Sequence, residues 1–316
     1  MTSAALERFG FLTLPNYSMI ACANAIEPLR MANRLHGSPV YDWRLITLDG
    51  QPAAASNGLS LHPTTALRSE VAFDIVFVCG GVDVRQATGR PLAAALRSLA
   101  ARGVALGALC TGTFALAEAG LLQGRRCAIH WENLSAIREE FPDVEFVDDL
   151  YAIDGDRLTC TGGVAPLDML TSLIGARLGP DLARKVSAQF IVERGRAGAE
   201  RQPGGVDRRA IVGRPALEAA VRLREGEGAD PRGAARAAGL SVRQLERLFV
   251  RHLGQTPTAF SKALRLQRAK ALLEQTSMSV TDIAVACGFV SPAHFATAYR
   301  RAFGHAPSAA RHSPKT

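Results

Sequence analysis

The sequence predicts a doubly wound α/β domain followed by a smaller all-α domain. Before residue 196, strand-like apolar runs alternate with helical patterns, whereas only helical patterns follow the next Gly- and Pro-rich stretch. The charge divides in the same way. Residues 1–200 hold 18 Lys/Arg against 21 Asp/Glu, a net −3, and residues 201–316 hold 19 against 8, a net +11. The strong positive charge of the second part favours a polyanion as its partner. The alternative is that these charges only form a solvated basic surface.

The N-terminal elements alternate in order along the chain. The strand-like runs are "FGFLTL", "WRLITL", "FDIVFVCGG" and "VALGALC". The helix-like segments are "MIACANAIEPLRMANRL", "PLAAALRSLAARG", "TFALAEAGLL" and "DMLTSLIGARLG". This alternation predicts a mainly parallel sheet covered by helices on both faces.

The stretch from Arg196 to Pro215 is rich in Gly, Arg and Pro and has no periodicity, which is typical of an exposed linker. We therefore expect an N-terminal domain over residues 1–200, a linker over 201–215 and a C-terminal domain over 216–316. A chain of 316 residues has the length of about two domains.

The composition argues against several protein classes. No apolar run approaches the roughly 20 residues that span a bilayer, and the N-terminus lacks the basic start and long apolar core of a secretory signal. The six cysteines are scattered without a CxxC pair, so we expect reduced thiols in a cytoplasmic protein, no metal and no cofactor. Five of them are expected to act as small hydrophobic residues: Cys22, Cys79, Cys127, Cys160 and Cys287.

A possible nucleophile lies where the run "VALGALC" ends, at Cys110. Small residues turn the chain into a helical pattern there, which exposes side chains at the carboxyl edge of an α/β sheet. A neighbouring helix N-terminus is expected to lower the pKa of the Cys110 thiol, and the amides of Thr111 and Gly112 are expected to hold an anionic ligand atom. Gly80 and Gly81 end the neighbouring strand and are expected to let a ligand approach the backbone. The alternative is a small buried cysteine in a crowded turn.

Four segments around this turn resemble the PfpI-like branch of the class I glutamine-amidotransferase-like superfamily: "FVCGG" at 77–81, "GALCTGTFALAEAGLL" at 107–122, "HW" at 130–131 and "TCTGG" at 159–163. The resemblance covers about residues 8–195 and implies a flavodoxin-like fold. Together with the turn chemistry it predicts a ligand site of Cys110, Thr111, Gly112, Gly80, Gly81, His130 and Trp131.

Catalytic members of that branch use a cysteine, a histidine and a carboxylate from the first helix region. Here the carboxylate position falls near Ala21, and Glu27 is the nearest substitute. We therefore interpret Cys110 and His130 as vestiges of a catalytic pair. A histidine hydrogen-bonded in the core is the alternative for His130.

The basic part contains a repeat. "LSVRQLERLFVRHLGQTP" and "VSPAHFATAYRRAFGHAP" align at an offset of 50, so that Ser241 matches Ser291 and Gly254 matches Gly304. Each unit is predicted to be a short helix, a Gly turn and a second helix capped by Ser, which is a helix-turn-helix. The segment "PTAFSKALRLQRAKALLEQT" between them is long enough for one connecting helix. Two recognition helices held in this way are expected about 34 Å apart, in successive major-groove turns.

From Arg265 to Arg311 the sequence resembles the DNA-binding domain of AraC/XylS-family transcription regulators, and the likeness extends over about residues 216–311. It implies double-stranded promoter DNA as a partner, and paired half-sites imply a homodimer. The resemblance leaves open whether the protein also contacts RNA polymerase. A helical protein-docking module is the alternative.

Two groups of basic and polar side chains are expected to contact DNA. On the first turns of the first recognition helix, the residues predicted to read base edges are Arg243, Gln244 and Arg247. The residues predicted to hold phosphate are Arg251, Arg300 and Arg301. In the second recognition helix, Ala293 and Thr297 occupy the base-reading region but offer little beyond methyl contact, so the first unit is expected to read most of the sequence.

The N-terminal segments "FGFLTLPNYSMIACANAIEPLRMANRL" and "YDWRLITLDG" resemble regulators that sense glycine betaine, carnitine or arginine. A methylammonium cation favours aromatic faces, and the rings available are Trp131, Tyr17, Phe114 and Trp43. We therefore expect a transcription activator that responds to a small ligand and is associated with the nucleoid in the cytoplasm. The alternatives are a cysteine hydrolase or amidotransferase with a DNA-binding tail, and a structural DNA-binding protein without an effector.

Overall fold

The computed structural model describes residues 6–67, 72–192, 195–200, 202, 219–220, 223, 230–276 and 278–310. By its internal contacts the chain divides into two compact units, Met1–Gln202 and Pro203–Thr316. The predicted linker 201–215 lies outside the described residues except for Gln202, and so do the first residues of the predicted C-terminal domain, 216–218.

The first unit is built on a seven-stranded sheet. Its strands are β1 (Arg8–Thr13), β2 (Asp42–Thr47), β5 (Thr65–Ala66), β6 (Ile75–Cys79), β7 (Ala105–Leu109), β10 (Tyr151–Asp154) and β11 (Arg157–Cys160). They lie in the order β10-β11-β7-β6-β1-β2-β5, and every neighbouring pair is parallel except β10 with β11. Four short strands pair outside this sheet: β3 (Ala53–Ala54) with β4 (Ser60–Leu61), and β8 (Arg126–Ala128) with β9 (Glu145–Val147).

Helices cover both faces of the sheet, because β6 and β7 are apolar along their whole length and bury both sides. One apolar core contains buried residues of α1 (Met19–His36), α6 (Ala165–Leu178) and α7 (Pro180–Gln189). The other contains residues of α3 (Arg90–Ala101), α4 (Thr113–Glu118) and α5 (Trp131–Glu140), with the short α2 (Val84–Ala87) at its edge. The predicted doubly wound, flavodoxin-like architecture is confirmed.

The segment predicted as an exposed linker from Arg196 onward is exposed at Ala197 and Ala199, but its start is bonded to the first unit. Arg196 donates three hydrogen bonds to the buried carboxylate of Asp168, and Gln202 is 2 % exposed. The Gly- and Arg-rich composition suggested an exposed segment, but partners distant in the sequence hold residues 195–200 and Gln202 against the first unit.

The described part of the second unit is helical. Its helices are α8 (Pro231–Ala237), α9 (Val242–Leu253), α10 (Pro257–Gln275), α11 (Val280–Ala286), α12 (Pro292–Phe303) and α13 (Pro307–Ala310). Gly239 and Gly288, both with positive φ, lie between the paired helices of the two helix-turn-helix units, and α10 connects the units. Arg265 of α10 donates to the carbonyl of Gly288 at 3.0 Å, which fastens the connecting helix to the second turn.

Caps and apolar stripes define both recognition helices, α9 and α12. The Ser241 and Ser291 hydroxyls accept hydrogen bonds from the third helical residue, and Pro292 occupies the first turn of its helix. The inward stripe of α9 is anchored by the buried Leu245 and Phe249. The corresponding stripe of α12 buries Phe295, Ala298 and Tyr299.

Candidate functional site

Cys110 lies at a sharp turn where β7 ends at the carboxyl edge of the sheet. Its φ of 59° is in the left-handed region, which a residue with a side chain seldom adopts. A 3-10 turn over Cys110–Gly112 leads directly into α4. Gly162, with a φ of 97°, packs against it so closely that a Cβ there would lie 3.2 Å from the Cys110 sulfur. The half-buried cysteine is therefore in a crowded turn next to the end of β11.

The expected thiolate at Cys110 is wrong, because burial raises the pKa of its thiol to about 11. The backbone N–H of Thr111 points to the sulfur and acts in the opposite direction, and the Glu132 carboxylate raises the pKa further. The thiol is therefore protonated at neutral pH.

The start of α5 carries the other predicted side chains, His130 and Trp131, together with Glu132, whose charge acts on Cys110. His130 precedes the helix, its ring centroid lies 5.7 Å from that of Trp131, and its Nδ1 lies 3.8 Å from a carboxylate oxygen of Glu132. Burial lowers the pKa of His130, and Glu132 raises it to a smaller extent. The imidazole is therefore mainly neutral at pH 7. Glu132, which sequence reasoning missed, influences both Cys110 and His130.

Glycine is required at positions 80 and 81 for a different reason from the one expected. A Cβ on Gly80 would lie 2.3 Å from the amide nitrogen of Gly112, and one on Gly81 would lie 2.0 Å from the carbonyl oxygen of Asn16. Protein backbone, not a ligand, occupies the side of each glycine that a Cβ would take. The Thr111 hydroxyl donates to the Gly81 carbonyl at 2.7 Å and joins the two turns.

The carboxylate of catalytic relatives has no counterpart at the predicted places. Ala21 is buried in the first turn of α1. Glu27 does not substitute for it, because its carboxylate is half-exposed and accepts hydrogen bonds of 2.6 to 3.1 Å from Arg30. Asn24, one helical turn after Ala21, instead donates to the carbonyl of Gly163 at 3.0 Å.

Of the four aromatic candidates, only Trp131 is well exposed, at 43 %. Tyr17 is fully buried. Phe114 is buried beneath the Arg85 guanidinium, which lies 4.2 Å from the ring centroid. Trp43 packs half-buried against the core.

The other thiols take the places expected of small hydrophobic residues. All five are buried: Cys22, Cys79, Cys127, Cys160 and Cys287. Burial raises the pKa of Cys127 and of Cys160 to about 12. Within the described ranges, no group of three or more His, Cys, Asp or Glu side chains is arranged to hold a metal ion. Nor does any described helix combine the length and apolar character that crossing a bilayer demands.

The residues predicted to contact DNA lie on the exposed sides of the recognition helices. On α9 the exposed arginines are Arg243, Arg247 and Arg251, and on α12 they are Arg300 and Arg301. Ala293 and Thr297 are also exposed on α12. The Thr297 hydroxyl donates to the Ala293 carbonyl at 3.0 Å, so that its methyl group and the lone pairs of its oxygen are left for a base.

Gln244 has a role that the sequence analysis did not assign. Its carboxamide oxygen accepts from both the backbone N–H and the hydroxyl of Ser241 at 2.9 Å. The backbone N–H of Gln244 donates to the same hydroxyl. This capping box folds the side chain back over the start of α9. Gln244 must leave the cap before its carboxamide oxygen can accept a hydrogen bond from a base.

Comparisons with known proteins agree with this geometry. Residues 23–176 match the DJ-1/PfpI family, and residues 234–313 match the helix-turn-helix domain family. The chain is 42 % identical over 304 residues to the HTH-type transcriptional regulator GbdR of Pseudomonas aeruginosa, covering 95 % of this chain and 83 % of the relative. It is 40 % identical over 305 residues to the regulator CdhR of the same species, covering 96 % and 90 %. The crystal structure of an AraC family transcriptional regulator from Pseudomonas putida covers 58 % of this chain and 99 % of its own, with a TM-score of 0.53 and 27 % identity.

Proposed function

We propose that this chain, which belongs to the AraC-type transcription regulators with an N-terminal DJ-1/PfpI domain, binds its effector beside Cys110 at the carboxyl edge of the sheet. As a member of that family it is a DNA-binding regulator controlled by a small metabolite. One observation carries the proposed location: the exposed indole of Trp131 adjoins the imidazole of His130, and the exposed carboxylate of Glu132 acts on the pKa of both His130 and the Cys110 thiol.

The groups at this edge favour a small zwitterion with a cationic end. An indole face and a carboxylate both attract a quaternary ammonium or guanidinium group. The exposed side chains of Val82 and Val164, in the loops after β6 and β11, provide apolar surface for methyl groups. The amides of Thr111 and Gly112 are the proposed contacts for the carboxylate end, and Gly80 and Gly81 shape the turn beneath it. Glycine betaine, carnitine and arginine combine these features.

We propose that the site binds without catalysing a reaction. A nucleophilic cysteine acts as the thiolate and requires an oriented base. The Cys110 thiol has a pKa of about 11, and Ala21 stands where catalytic relatives carry the acid. These features support a sensor in which Cys110 and His130 line the pocket, and they argue against the hydrolase alternative.

DNA is bound by the second unit through the two helix-turn-helix motifs. We propose that Arg243 and Arg247 read base edges, since an arginine can bridge O6 and N7 of guanine. The proposed phosphate contacts are Arg251, Arg300 and Arg301. Gln244 joins the readers only when it leaves its cap, and Ala293 and Thr297 supply methyl contacts. We further propose a homodimer on paired half-sites that activates transcription at the nucleoid, in the cytoplasm.

The test is calorimetric titration of the full chain with glycine betaine, carnitine and arginine. The matched control ligand is 3,3-dimethylbutyrate, which has the shape of betaine with carbon in place of the charged nitrogen. We expect at least one of the three compounds to bind, and the isostere without the positive charge to bind at least tenfold more weakly when betaine is the effector. Absence of binding by all three cations at millimolar concentration would refute this effector class.

A further inference from the structure

Residues 195–200 and Gln202, here called the strap, fold back onto the first unit after α7. The strap begins at Arg196, whose backbone N–H donates to Asp168 Oδ1 at 2.9 Å. Its guanidinium Nε and Nη2 donate to Oδ2 at 2.9 and 2.6 Å. The Asp168 side chain is 2 % exposed on the first turn of α6. Because a buried carboxylate without its cation is costly, this pair strongly favours a docked start of the strap.

The middle of the strap is joined to the turn around Cys110 through Leu150. The Leu150 amide lies 3.0 Å from the Gly198 carbonyl and 2.9 Å from the Glu200 carbonyl. The Leu150 carbonyl accepts from the amide of Thr161 at 3.0 Å. Thr161 precedes Gly162, which packs against Cys110. One residue therefore bonds the strap on one side and the wall of the proposed pocket on the other.

The end of the strap is bonded to the segment that carries His130. Gln202 is 2 % exposed, and its Nε2 donates to the carbonyl of Ile129 at 3.0 Å, directly before His130. Its backbone amide donates to the Asp148 carbonyl at 3.3 Å. Its Oε1 is buried and has no hydrogen-bond partner within the described residues.

We propose that the strap carries effector occupancy from the pocket walls to the DNA-binding unit, an inference that rests on the proposed function. Gln202 is the last residue of the first unit, and Pro203 begins the second. An effector bound between His130 and the Gly162 turn stabilises the two segments that hold the strap, and therefore favours the docked strap. Such coupling requires the effector to bind the docked form more tightly, and it is reciprocal: releasing the strap weakens effector binding.

The test uses Gln202→Ala in the full chain, because this variant removes the Ile129 bond without leaving a charge unpaired. Arg196→Ala is the second variant, with circular dichroism to verify its fold. The control is Arg184→Ala, since Arg184 is 72 % exposed on α7 and pairs only locally with Asp181 among the described residues. The readout for all variants is calorimetric affinity for the effector that binds; for the variants that keep Arg196, it is also tryptic cleavage after Arg196 with and without that effector.

In the parent chain we expect the bound cation to slow cleavage after Arg196. Gln202→Ala should raise the effector dissociation constant at least fivefold and abolish most of this protection, while Arg184→Ala stays within twofold of the parent. If Gln202→Ala and folded Arg196→Ala both bind the effector within twofold of the parent affinity, the proposed role of the strap is wrong. The proposal that an effector binds would still stand. If none of the three compounds binds the parent, the proposed effector class fails. The strap is then judged by affinity for a DNA site selected from random sequence, which Gln202→Ala must change at least fivefold relative to the control.

Discussion

Gly162 lies directly against Cys110: a Cβ on the glycine would be 2.9 Å from the Cys110 Cβ and 3.2 Å from its sulfur. The contact joins the turn after β11 to the turn after β7. Two strands that are neighbours in the sheet thus form one wall of the proposed pocket from residues 52 positions apart.

Gly162→Ala is expected to destabilise the first unit more than Gly163→Ala. Both glycines have positive φ, which costs an alanine about 1–2 kcal/mol. Only at Gly162 does the new methyl group meet Cys110, and overpacking costs about 1–3 kcal/mol more. Gly163 is the matched control because nothing lies within 4 Å of its Cβ position. Urea unfolding monitored by tryptophan fluorescence measures the difference, since both tryptophans are in the first unit. Equal losses in the two variants would contradict the contact.

Alkylation of Cys110 by iodoacetamide is expected to be slow at pH 7 and to rise about tenfold per pH unit up to pH 10. A pKa of about 11 leaves roughly one thiol in ten thousand ionised at pH 7, against about 3 % for a free cysteine. Peptide mass spectrometry separates Cys110 from the five buried thiols, and N-acetylcysteine, whose rate levels off above its lower pKa, is the control. Labelling at pH 7 as fast as that of the control would show that burial does not suppress the thiolate.

The same shift predicts a loss of stability in alkali. The folded state holds the Cys110 proton more tightly than the unfolded chain does, because the folded pKa is the higher one. The free energy of unfolding therefore falls as pH rises from about 8.5 towards 11. Cys110→Ser should show a smaller fall over this range. Identical pH dependence of urea midpoints for parent and variant would exclude the contribution.

Trp131→Ala is expected to weaken binding of the cationic effector about 2- to 30-fold, since a cation–π contact contributes about 0.5–2 kcal/mol. Trp131→Phe, which keeps an aromatic face, should lose less. The indole is 43 % exposed, so its truncation leaves the core intact. Calorimetry of both variants checks the order, and an unchanged affinity in the alanine variant would remove Trp131 from the site.

Arg247→Ala and Arg251→Ala are expected to change DNA binding in two different ways. Loss of a base-reading arginine costs about 1–3 kcal/mol and relaxes preference at one base position. Loss of a phosphate contact weakens all sequences alike and reduces the salt slope by about 1. Both side chains are exposed on α9, which makes them matched variants. Binding-site selection with salt titration distinguishes them, and unchanged preference in Arg247→Ala would reassign that residue.

Local patterns were sufficient for the main elements. The apolar runs before Cys79 and Leu109 form β6 and β7, and the repeat at an offset of 50 forms two recognition helices that begin after Ser241 and Ser291. The short strands β8 to β11 were missed, because three or four residues carry too little periodicity. The helix α5 was missed as well, with Glu132 on its first turn.

The errors at the site share a cause. The Cys110 thiol was expected to ionise because a helix begins beside it, but its burial is decided by Gly162 and other distant segments. Gly80 and Gly81 are glycines because the backbone of Gly112 and Asn16 approaches them. Arg196 was placed in an exposed linker because its partner, Asp168, lies 28 positions earlier.

The sequence by itself determined the two-part division, the elements with strong periodicity, the helix caps and the basic surface, since each depends on neighbours within a few residues. Only the tertiary structure decided that the Cys110 thiol stays protonated, that the Trp131 indole is exposed, and which segments of the first unit the strap contacts. Those properties depend on desolvation and on hydrogen bonds between distant segments, and neither is encoded in local spacing.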